Sequence, residues 1–435
     1  MTTPSPAGGG PGWGRTGSAS RLIMCPNEEA SPTPSPHPHP GGRGSHEPSL
    51  PVVTLRRGEE RRLRLGHPWV YSNEVAEGLK GLAPGVQVQV VDHRRGPIGV
   101  GTANPHTLIA VRLFTRGRKA VDGDLAGRRL VAARELRDAL GLGHTYRWVH
   151  SEGDRLPGLV VDRYDGGLVA QSLTAGVDLL WPLILPALVE QANPDWVVLR
   201  ADSAFRALEG LESRVEVAHG CLPGAPVARE GGLAYRFDPL AGQKTGFFLD
   251  QRENRARWRG LAAGHACLDL FCHTGGFTLA AAAGGASESL GVDSSEPALA
   301  LARESAEHNG LAATCRFERG DGFDFLRRET RQWSRLNLDP PAFIKSRAKL
   351  KEGVAGYQRL NALALGRVSP GGLMMTSSCS HHLSVDELVK LVARAAGEVK
   401  RPVQILATAG AAPDHPTLPA LPESAYLKTL LLRVG

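Results

Sequence analysis

Long apolar runs are missing from this chain of 435 residues. No stretch of about 18 uncharged apolar residues occurs, so the sequence predicts no membrane-spanning helix. The first residues also lack a basic segment followed by an apolar one, which is the pattern of a secretory signal peptide. The six cysteines lack the paired spacings of zinc sites. These absences favour a cytoplasmic protein that binds no metal and no membrane.

Acidic residues are in the minority, since 51 Lys and Arg face 44 Asp and Glu and the formal net charge is +7. A modest positive charge favours a polyanionic partner such as RNA, although many basic proteins have none. Residues 1–50 are rich in Pro, Gly and Ser and cannot bury enough apolar surface to fold. We therefore expect a disordered tail there. Its alternating His and Pro residues could also bind a metal, but the composition favours disorder.

The clearest local pattern lies past the middle of the chain. Residues 266–271 are apolar except for Asp269 and predict a buried strand of a parallel sheet. A Thr-Gly-Gly turn at 274–276 follows, and an alanine-rich helix begins after it. Glycines let the backbone pass close to a ligand, as in nucleotide-binding units. The same turn is also compatible with an ordinary strand-to-helix connection in any α/β protein.

Carboxylates recur where the following strands end. Asp293 ends the second predicted strand, a position that typically binds ribose hydroxyls. Asp321 follows a third strand, and Asp339 ends a fourth, held extended by the prolines after it. Since ligands bind at the carboxyl edge of open α/β sheets, we expect these acids to gather beside the glycine turn. A Gly-x-Gly-x-x-Gly turn is absent, which makes a dinucleotide dehydrogenase a weaker reading.

These segments resemble class I S-adenosylmethionine-dependent methyltransferases. The matching pieces are Thr-Gly-Gly-Phe at 274–277, Val-Asp at 292–293, Gly-Asp at 320–321 and Asp-Pro-Pro-Ala-Phe at 339–343. With Gln-Lys-Thr-Gly-Phe-Phe-Leu-Asp-Gln-Arg at 243–252 and Ser-Cys-Ser-His at 378–381, the chain resembles the large-subunit rRNA cytosine-C5 methyltransferases that carry a PUA domain. The resemblance runs from about Leu55 to the C-terminus.

The resemblance implies S-adenosylmethionine as the cofactor and 23S ribosomal RNA as the partner, and it allows a homodimer. It also implies an α/β fold in four parts. These are the tail at 1–50, a PUA-like RNA-binding β-barrel at 51–127, a small central α/β domain at 128–232 and a Rossmann-like methyltransferase domain at 233–435. The cofactor-binding residues that it implies are Asp269, Phe271, Thr274, Gly275, Gly276, Asp293, Asp321 and Asp339.

The predicted barrel carries an excess of basic residues. Between Leu55 and Arg137, Lys and Arg outnumber acids by roughly two to one, and an arginine-rich segment at 56–64 precedes Trp69 and Tyr71. Arginines beside aromatic rings suit phosphate contacts combined with base stacking. A solvated basic face without a ligand is the alternative.

One cysteine lies where the chemistry of the resembled family requires a nucleophile. Carbon 5 of cytosine is a poor nucleophile until a thiolate adds to carbon 6, which splits one hard step into two easier ones. Cys379, at the end of the fifth predicted strand, is the candidate, and Asp339 is expected to hydrogen-bond the base edge. The alternative for Cys379 is a buried apolar contact. Cys267, Cys272 and Cys315 are expected to serve packing only.

Two positions depart from the resembled family. Ala342 stands where the two-cysteine relatives have a second cysteine, so another base or water must assist release of the thiolate. His381, His382 and Lys345 are near in sequence. His273 replaces the usual tyrosine, which removes the expected stacking residue.

Two further readings stay open. An RNA methyltransferase acting on an exocyclic nitrogen would use the same Asp-Pro-Pro turn but no cysteine. An RNA-binding ribosome-assembly factor with a vestigial methyltransferase domain would need neither the Asp-Pro-Pro turn nor the cysteine. The four acids at Asp269, Asp293, Asp321 and Asp339 argue against this second reading.

Overall fold

The computed structural model describes residues 50–224, 226–344 and 346–435. The predicted tail at 1–50, apart from Leu50, lies outside the described residues, and so does Lys345. The described residues belong to one compact unit.

The first sheet is built from short strands around a small apolar core. Its elements are β1 (Val52–Leu55), α1 (Glu60–Arg64), β2 (Trp69–Tyr71), β3 (Val75–Glu77), β4 (Gln87–Val91), β5 (Pro97–Ala103) and β6 (Ile109–Leu113). The order is β2-β6-β5-β4-β1-β3, with only β1 and β4 parallel. The edge strands β2 and β3 are joined by the three residues Ser72–Glu74, so the sheet must close on itself. This agrees with the predicted barrel.

The second sheet carries two helices on one face. Its elements are α2 (Gly123–Ala139), β7 (Tyr146–His150), β8 (Leu159–Tyr164), β9 (Gly167–Ser172), α3 (Ala175–Ala192), β10 (Trp196–Ala201), α4 (Phe205–Leu208) and β11 (Arg214–Gly220). The order is β11-β10-β9-β8-β7, and α3 connects the parallel pair β9 and β10. The Asp165-Gly166 turn joins β8 and β9 directly, as its sequence predicts. Helices α2 and α3 bury Leu130 and Ile184 against this sheet.

The apolar pattern predicts helices from Arg128 to Leu140 and from about Asp178 to Asn193. Both begin earlier in the structure, because polar residues cap them. The Asp122 carboxylate accepts a hydrogen bond from the Leu125 N–H at 2.7 Å. Thr174 caps α3 in the same way. The expected domain boundary between residues 127 and 128 therefore falls inside α2. By length and composition α3 is apolar enough to cross a membrane, but it packs in this core through residues such as Leu188.

The third sheet forms the Rossmann-like part. A hairpin of β12 (Val227–Glu230) and β13 (Leu233–Arg236) precedes it, so the expected boundary at 232 lies in the hairpin turn. The helices are α5 (Arg252–Gly260), α6 (Gly276–Ala283), α7 (Glu296–His308), α8 (Gly322–Arg328), α9 (Leu350–Leu365) and α10 (Val385–Glu398). The strands are β14 (Ala266–Leu270), β15 (Glu288–Asp293), β16 (Cys315–Arg319), β17 (Trp333–Leu338), β18 (Val368–Ser378), β19 (Val403–Ala409) and β20 (Lys428–Val434).

The strand order of this sheet, β16-β15-β14-β17-β18-β20-β19, determines where a ligand can bind. Strands β14 to β18 are parallel, and β20 is antiparallel to both of its neighbours. The order reverses between β14 and β17, and ligands bind at the carboxyl ends of strands beside such a reversal. The sequence at 414–416 and 423–430 predicts an antiparallel hairpin that closes the sheet. The hairpin exists, but its first arm is β19, and residues 410–427 form a long loop instead of a strand.

Candidate active site

The turn between β14 and α6 has a constrained backbone. Phe271, His273 and Gly275 have φ angles of 63°, 50° and 79°, a region that residues other than glycine rarely occupy. Asp293 holds this turn, since its carboxylate accepts hydrogen bonds from the N–H groups of His273 and Ser295, each at 2.9 Å. Strained backbone of this kind is concentrated at ligand sites.

The other residues expected around the turn are tightly packed. Thr274 is buried. At Gly275 an added Cβ would lie 2.7 Å from a Leu279 methyl carbon. Gly276 begins α6, and a Cβ there would lie 3.2 Å from the Arg255 side chain. Gly275 is therefore needed for close packing as well as for backbone conformation, whereas a methyl group at Gly276 would only have to displace the Arg255 side chain.

Asp269 supports the turn from below. The residue is 1 % exposed, and its carboxylate oxygens accept hydrogen bonds from Thr278 Oγ1 at 2.8 Å and Asn337 Nδ2 at 2.9 Å. Burial raises the pKa of Asp269 to about 6, and the two hydrogen bonds oppose that rise. Thr278 of α6 and Asn337 of β17 each bond one of the two carboxylate oxygens. Asp269 therefore influences a ligand indirectly, by fixing α6 and β17 relative to β14.

Phe271 and Asp321 lie on the other side of the turn. A Cβ added at Gly322 would lie 2.6 Å from Phe271 Cζ, so the ring packs directly on the start of α8. Asp321 is exposed and caps α8, with Oδ1 accepting hydrogen bonds from the N–H groups of Phe323 and Asp324 at 2.9 and 3.1 Å. Its second oxygen is free of such capping bonds.

The 243–252 segment connects this turn to the loop after β19. Lys244 Nζ lies 3.3 Å from Asp250 Oδ2, 4.7 Å from the centre of the Phe248 ring and 5.6 Å from the centre of the Tyr426 ring. Phe248 contacts His273 edge-on at 5.0 Å. Burial disfavours charge on Asp250, but Lys244 and other cations lower the pKa of its carboxyl, and the Tyr426 hydroxyl donates to it at 2.6 Å.

Asp339 is half-buried directly after β17. Its Oδ2 accepts a hydrogen bond from Gln251 Nε2 at 2.9 Å. Burial, and then the negative charge of Asp250, raise the pKa of Asp339 to about 7, while the bond from Gln251 opposes the rise. Near neutral pH both the acid and the carboxylate are therefore populated, which suits general acid–base work.

Cys379 follows the last residue of β18, the strand beside β17. It is partly exposed, whereas the free thiols of Cys267, Cys272 and Cys315 are buried. Burial raises the pKa of the Cys379 thiol, Lys244 opposes that rise, and the charges of Asp339 and Asp250 add to it. The thiol and the Asp339 carboxyl therefore lie at the carboxyl ends of neighbouring strands, close enough for their charges to interact.

Hydrogen bonds fix the thiol-bearing segment against the Pro-Pro loop. Ser380 Oγ accepts from the Ile344 N–H at 3.3 Å and lies 3.0 Å from the Tyr357 hydroxyl. His381 and His382 are both exposed.

Sequence reasoning missed two residues beside this segment, Tyr426 and Lys428. The available signal for Lys428 was a lysine at the start of a strand whose centre, residues 430–432, is apolar.

Comparisons with known proteins agree with this architecture. Residues 53–116 match the PUA-like domain family, and residues 210–433 match the S-adenosylmethionine-dependent methyltransferase family. The chain is 37% identical to ribosomal RNA large subunit methyltransferase I of Pseudoalteromonas atlantica, over 88% of this chain and 99% of that protein. The protein of that name from Shewanella frigidimarina is 38% identical, with the same coverage. The predicted cofactor, S-adenosylmethionine, is confirmed.

Solved structures share the fold at lower identity. A putative S-adenosylmethionine-dependent methyltransferase from Streptococcus mutans is 21% identical, with a TM-score of 0.76 over 88% of this chain and 100% of that one. A putative methyltransferase solved in complex with SAH is 22% identical, with a TM-score of 0.77 and the same coverage.

A single methyl group at Gly322 should weaken cofactor binding. The Gly322→Ala variant must displace the Phe271 ring, and overpacking of this kind costs about 1–3 kcal/mol. We expect roughly tenfold weaker binding of S-adenosylhomocysteine by calorimetry. Gly320→Ala is the matched control, because its nearest neighbours lie at 3.7 Å. If the two variants bind S-adenosylhomocysteine with equal affinity, Phe271 does not belong to the cofactor site.

Proposed function

Because the chain belongs to the family of PUA-containing, S-adenosylmethionine-dependent methyltransferases, we propose that it methylates carbon 5 of a cytosine in 23S ribosomal RNA in the cytoplasm. The observation that carries this proposal is the pairing of a partly exposed thiol, Cys379, with the Asp339 carboxyl at the ends of neighbouring strands. The names of the relatives support ribosomal RNA as the substrate.

The proposed reaction begins with Cys379. Its thiolate adds to carbon 6 of the cytosine, which makes carbon 5 nucleophilic. Asp339, protonated at that stage, donates a hydrogen bond to N3 and balances the negative charge that develops on the ring. When bound, the cofactor would supply an electrophilic methyl group, with its S–CH3 bond breaking and S-adenosylhomocysteine as the leaving group. After carbon 5 has taken the methyl group, a base removes the proton from carbon 5 and the carbon–sulfur bond breaks, which returns the thiolate.

The residue that removes the last proton is not a second cysteine in this chain, because Ala342 occupies the position that the two-cysteine relatives use. The exposed side chains of His381 and His382, or water, are the available bases beside the thiol. His381 lies 5.8 Å from Tyr426, measured between ring centres.

The barrel supplies the proposed RNA contacts through exposed arginines. Trp69 donates from Nε1 to Glu152 at 2.8 Å, and the Arg62 guanidinium lies over the Tyr71 ring at 4.8 Å while paired with Glu74. These groups serve internal packing in the structure. Nearby exposed cations that form no ion pair in the described part of the chain are Arg56, Arg57 and Arg61.

Neutralising two of these arginines should weaken RNA binding. We expect Arg57→Ala/Arg61→Ala to lower affinity for an rRNA fragment and to reduce the salt dependence by about one unit of slope per lost phosphate contact. Filter binding at several salt concentrations measures both quantities. Arg95→Ala is the control, because Arg95 already pairs with Glu77. An unchanged slope in the double variant would show that RNA lies elsewhere.

The test of the proposed function is methyl transfer from isotopically labelled cofactor to 23S rRNA, followed by nucleoside analysis. The proposal predicts 5-methylcytidine. An exocyclic N-methyl product would support the alternative that the Asp-Pro-Pro-Ala-Phe turn suggests. No transfer to any ribosomal RNA would favour an assembly factor. Bisulfite sequencing of rRNA from cells with and without the gene then locates the base.

A further inference from the structure

Lys428 is a buried lysine that lies behind the candidate nucleophile. It is 4 % exposed, and its ammonium forms no ion pair among the described residues. The ammonium donates instead to two backbone carbonyl oxygens, those of Ser380 and Tyr426, each at 2.7 Å. Burying a charge costs free energy when its hydrogen-bond partners are neutral carbonyl groups. A buried lysine in this position is therefore expected to have a function.

The geometry relates Lys428 directly to the thiol-bearing residue. In the antiparallel pair of β18 and β20, Lys428 lies opposite Ser378, the residue before Cys379. Its ammonium is bonded to the carbonyl of Ser380, the residue after Cys379. Lys428 therefore contacts both ends of the three-residue segment that presents the thiol, one through its backbone and the other through its ammonium.

The thiol needs such a charge. Burial, Asp339 and Asp250 all disfavour the thiolate of Cys379. Lys244 favours it, but that side chain is 43% exposed and pairs with Asp250, which weakens its effect. Burial lowers the pKa of Lys428 to about 8, while Cys379 and Glu387 oppose that shift. Lys428 therefore keeps a positive charge at neutral pH.

We propose that Lys428 is a positioning residue whose buried ammonium holds the 378–380 segment in place and stabilises the Cys379 thiolate. This inference rests on the proposed role of Cys379. The charged and titratable groups that face Lys428 are Cys379, Glu387 of α10 and His381. The charges of Lys244, Asp250 and Asp339 also act on the thiol.

The test measures the reactivity of the thiol and needs no RNA. The full chain is treated with iodoacetamide between pH 6 and 10, and alkylation of the Cys379 peptide is followed by mass spectrometry. Loss of a neighbouring opposite charge shifts a pKa by about one unit or more, so Lys428→Met should react roughly tenfold more slowly at pH 7.5. Lys428→Arg should keep the wild-type profile. Lys390→Met, which removes an exposed lysine of α10, is the control.

The outcomes separate this inference from the proposed function. An unchanged pH profile in a Lys428→Met protein that still binds S-adenosylhomocysteine would overturn the inference. If Lys428→Met and Lys428→Gln both fail to fold while Lys428→Arg folds, the lysine is structural only, and the inference is again overturned. Retained methyl transfer in a Cys379→Ala variant would instead overturn the proposed function, whatever the alkylation profile shows.

Discussion

Replacing Cys379 with alanine should reduce methyl transfer to 23S rRNA by at least about a thousandfold, because the proposed reaction cannot begin without the thiolate that adds to carbon 6. The substitution removes one sulfur atom from a partly exposed residue at the end of β18, so little stability should be lost. Binding of S-adenosylhomocysteine should stay within about twofold of wild type, since the glycine turn that is expected to bind the cofactor follows another strand, β14. Single-turnover transfer of labelled methyl groups measures the first effect, and calorimetry measures the second.

Cys315→Ala is the matched control for this prediction. Cys315 is a buried free thiol at the start of β16, far along the sheet from β18. Its loss should leave methyl transfer near the wild-type rate. A methyltransferase that acts on an exocyclic nitrogen needs no thiol, so a Cys379→Ala enzyme with nearly full activity would favour that chemistry over the carbon route.

Replacing Asp339 with asparagine should have the second largest effect, a loss of about a hundredfold in kcat. The amide keeps the size of the side chain, and its oxygen can still accept the hydrogen bond from Gln251. Its amide N–H is a much weaker acid than a carboxyl group, so a hydrogen bond from it stabilises the negative charge that develops on the ring much less. The loss should therefore appear in kcat, with little change in affinity for RNA.

The role of Asp339 also predicts how methyl transfer depends on pH. With a pKa of about 7, Asp339 loses its proton as pH rises through neutrality. Burial raises the pKa of the Cys379 thiol, so the thiolate fraction keeps rising over that range and offsets the loss of protonated Asp339. Activity should therefore rise up to about pH 7, level off, and fall only once the thiol is fully ionised. Asp339→Asn has no carboxyl proton to lose, so its activity should keep rising past neutral pH, whereas Asp324→Asn, at an exposed residue paired with Arg327, should keep the wild-type profile. A levelling at neutral pH that survives in Asp339→Asn would assign it to another group.

The parallel sheet and the position of the glycine turn follow from the sequence because both depend on local patterns. Apolar runs of strand length alternate with helical segments, and such alternation predicts a parallel sheet with ligands at its carboxyl edge. Helix starts were less predictable. Asp122 and Thr174 extend α2 and α3 beyond the apolar pattern, since capping adds a turn that needs no buried face.

The site shows where local patterns stop being sufficient. The sequence indicates that Asp269 lies beside the turn, but the bond from Asn337 depends on the register between β14 and β17. The antiparallel pairing of β20 with β18 brings Lys428 to the candidate site. The long loop before β20 brings Tyr426 there, where it bonds Asp250. Strand register and loop course are set by tertiary packing, so no short sequence window contains them.

A mechanism-based trap tests the central claim most directly. RNA carrying 5-fluorocytidine at the mapped position should become covalently attached to the enzyme, because fluorine on carbon 5 blocks the proton loss that normally releases the thiolate. Peptide mass spectrometry of the denatured complex is predicted to find the methylated fluorocytidine on Cys379. Methylated product without any covalent complex, or attachment to another cysteine, would contradict the account.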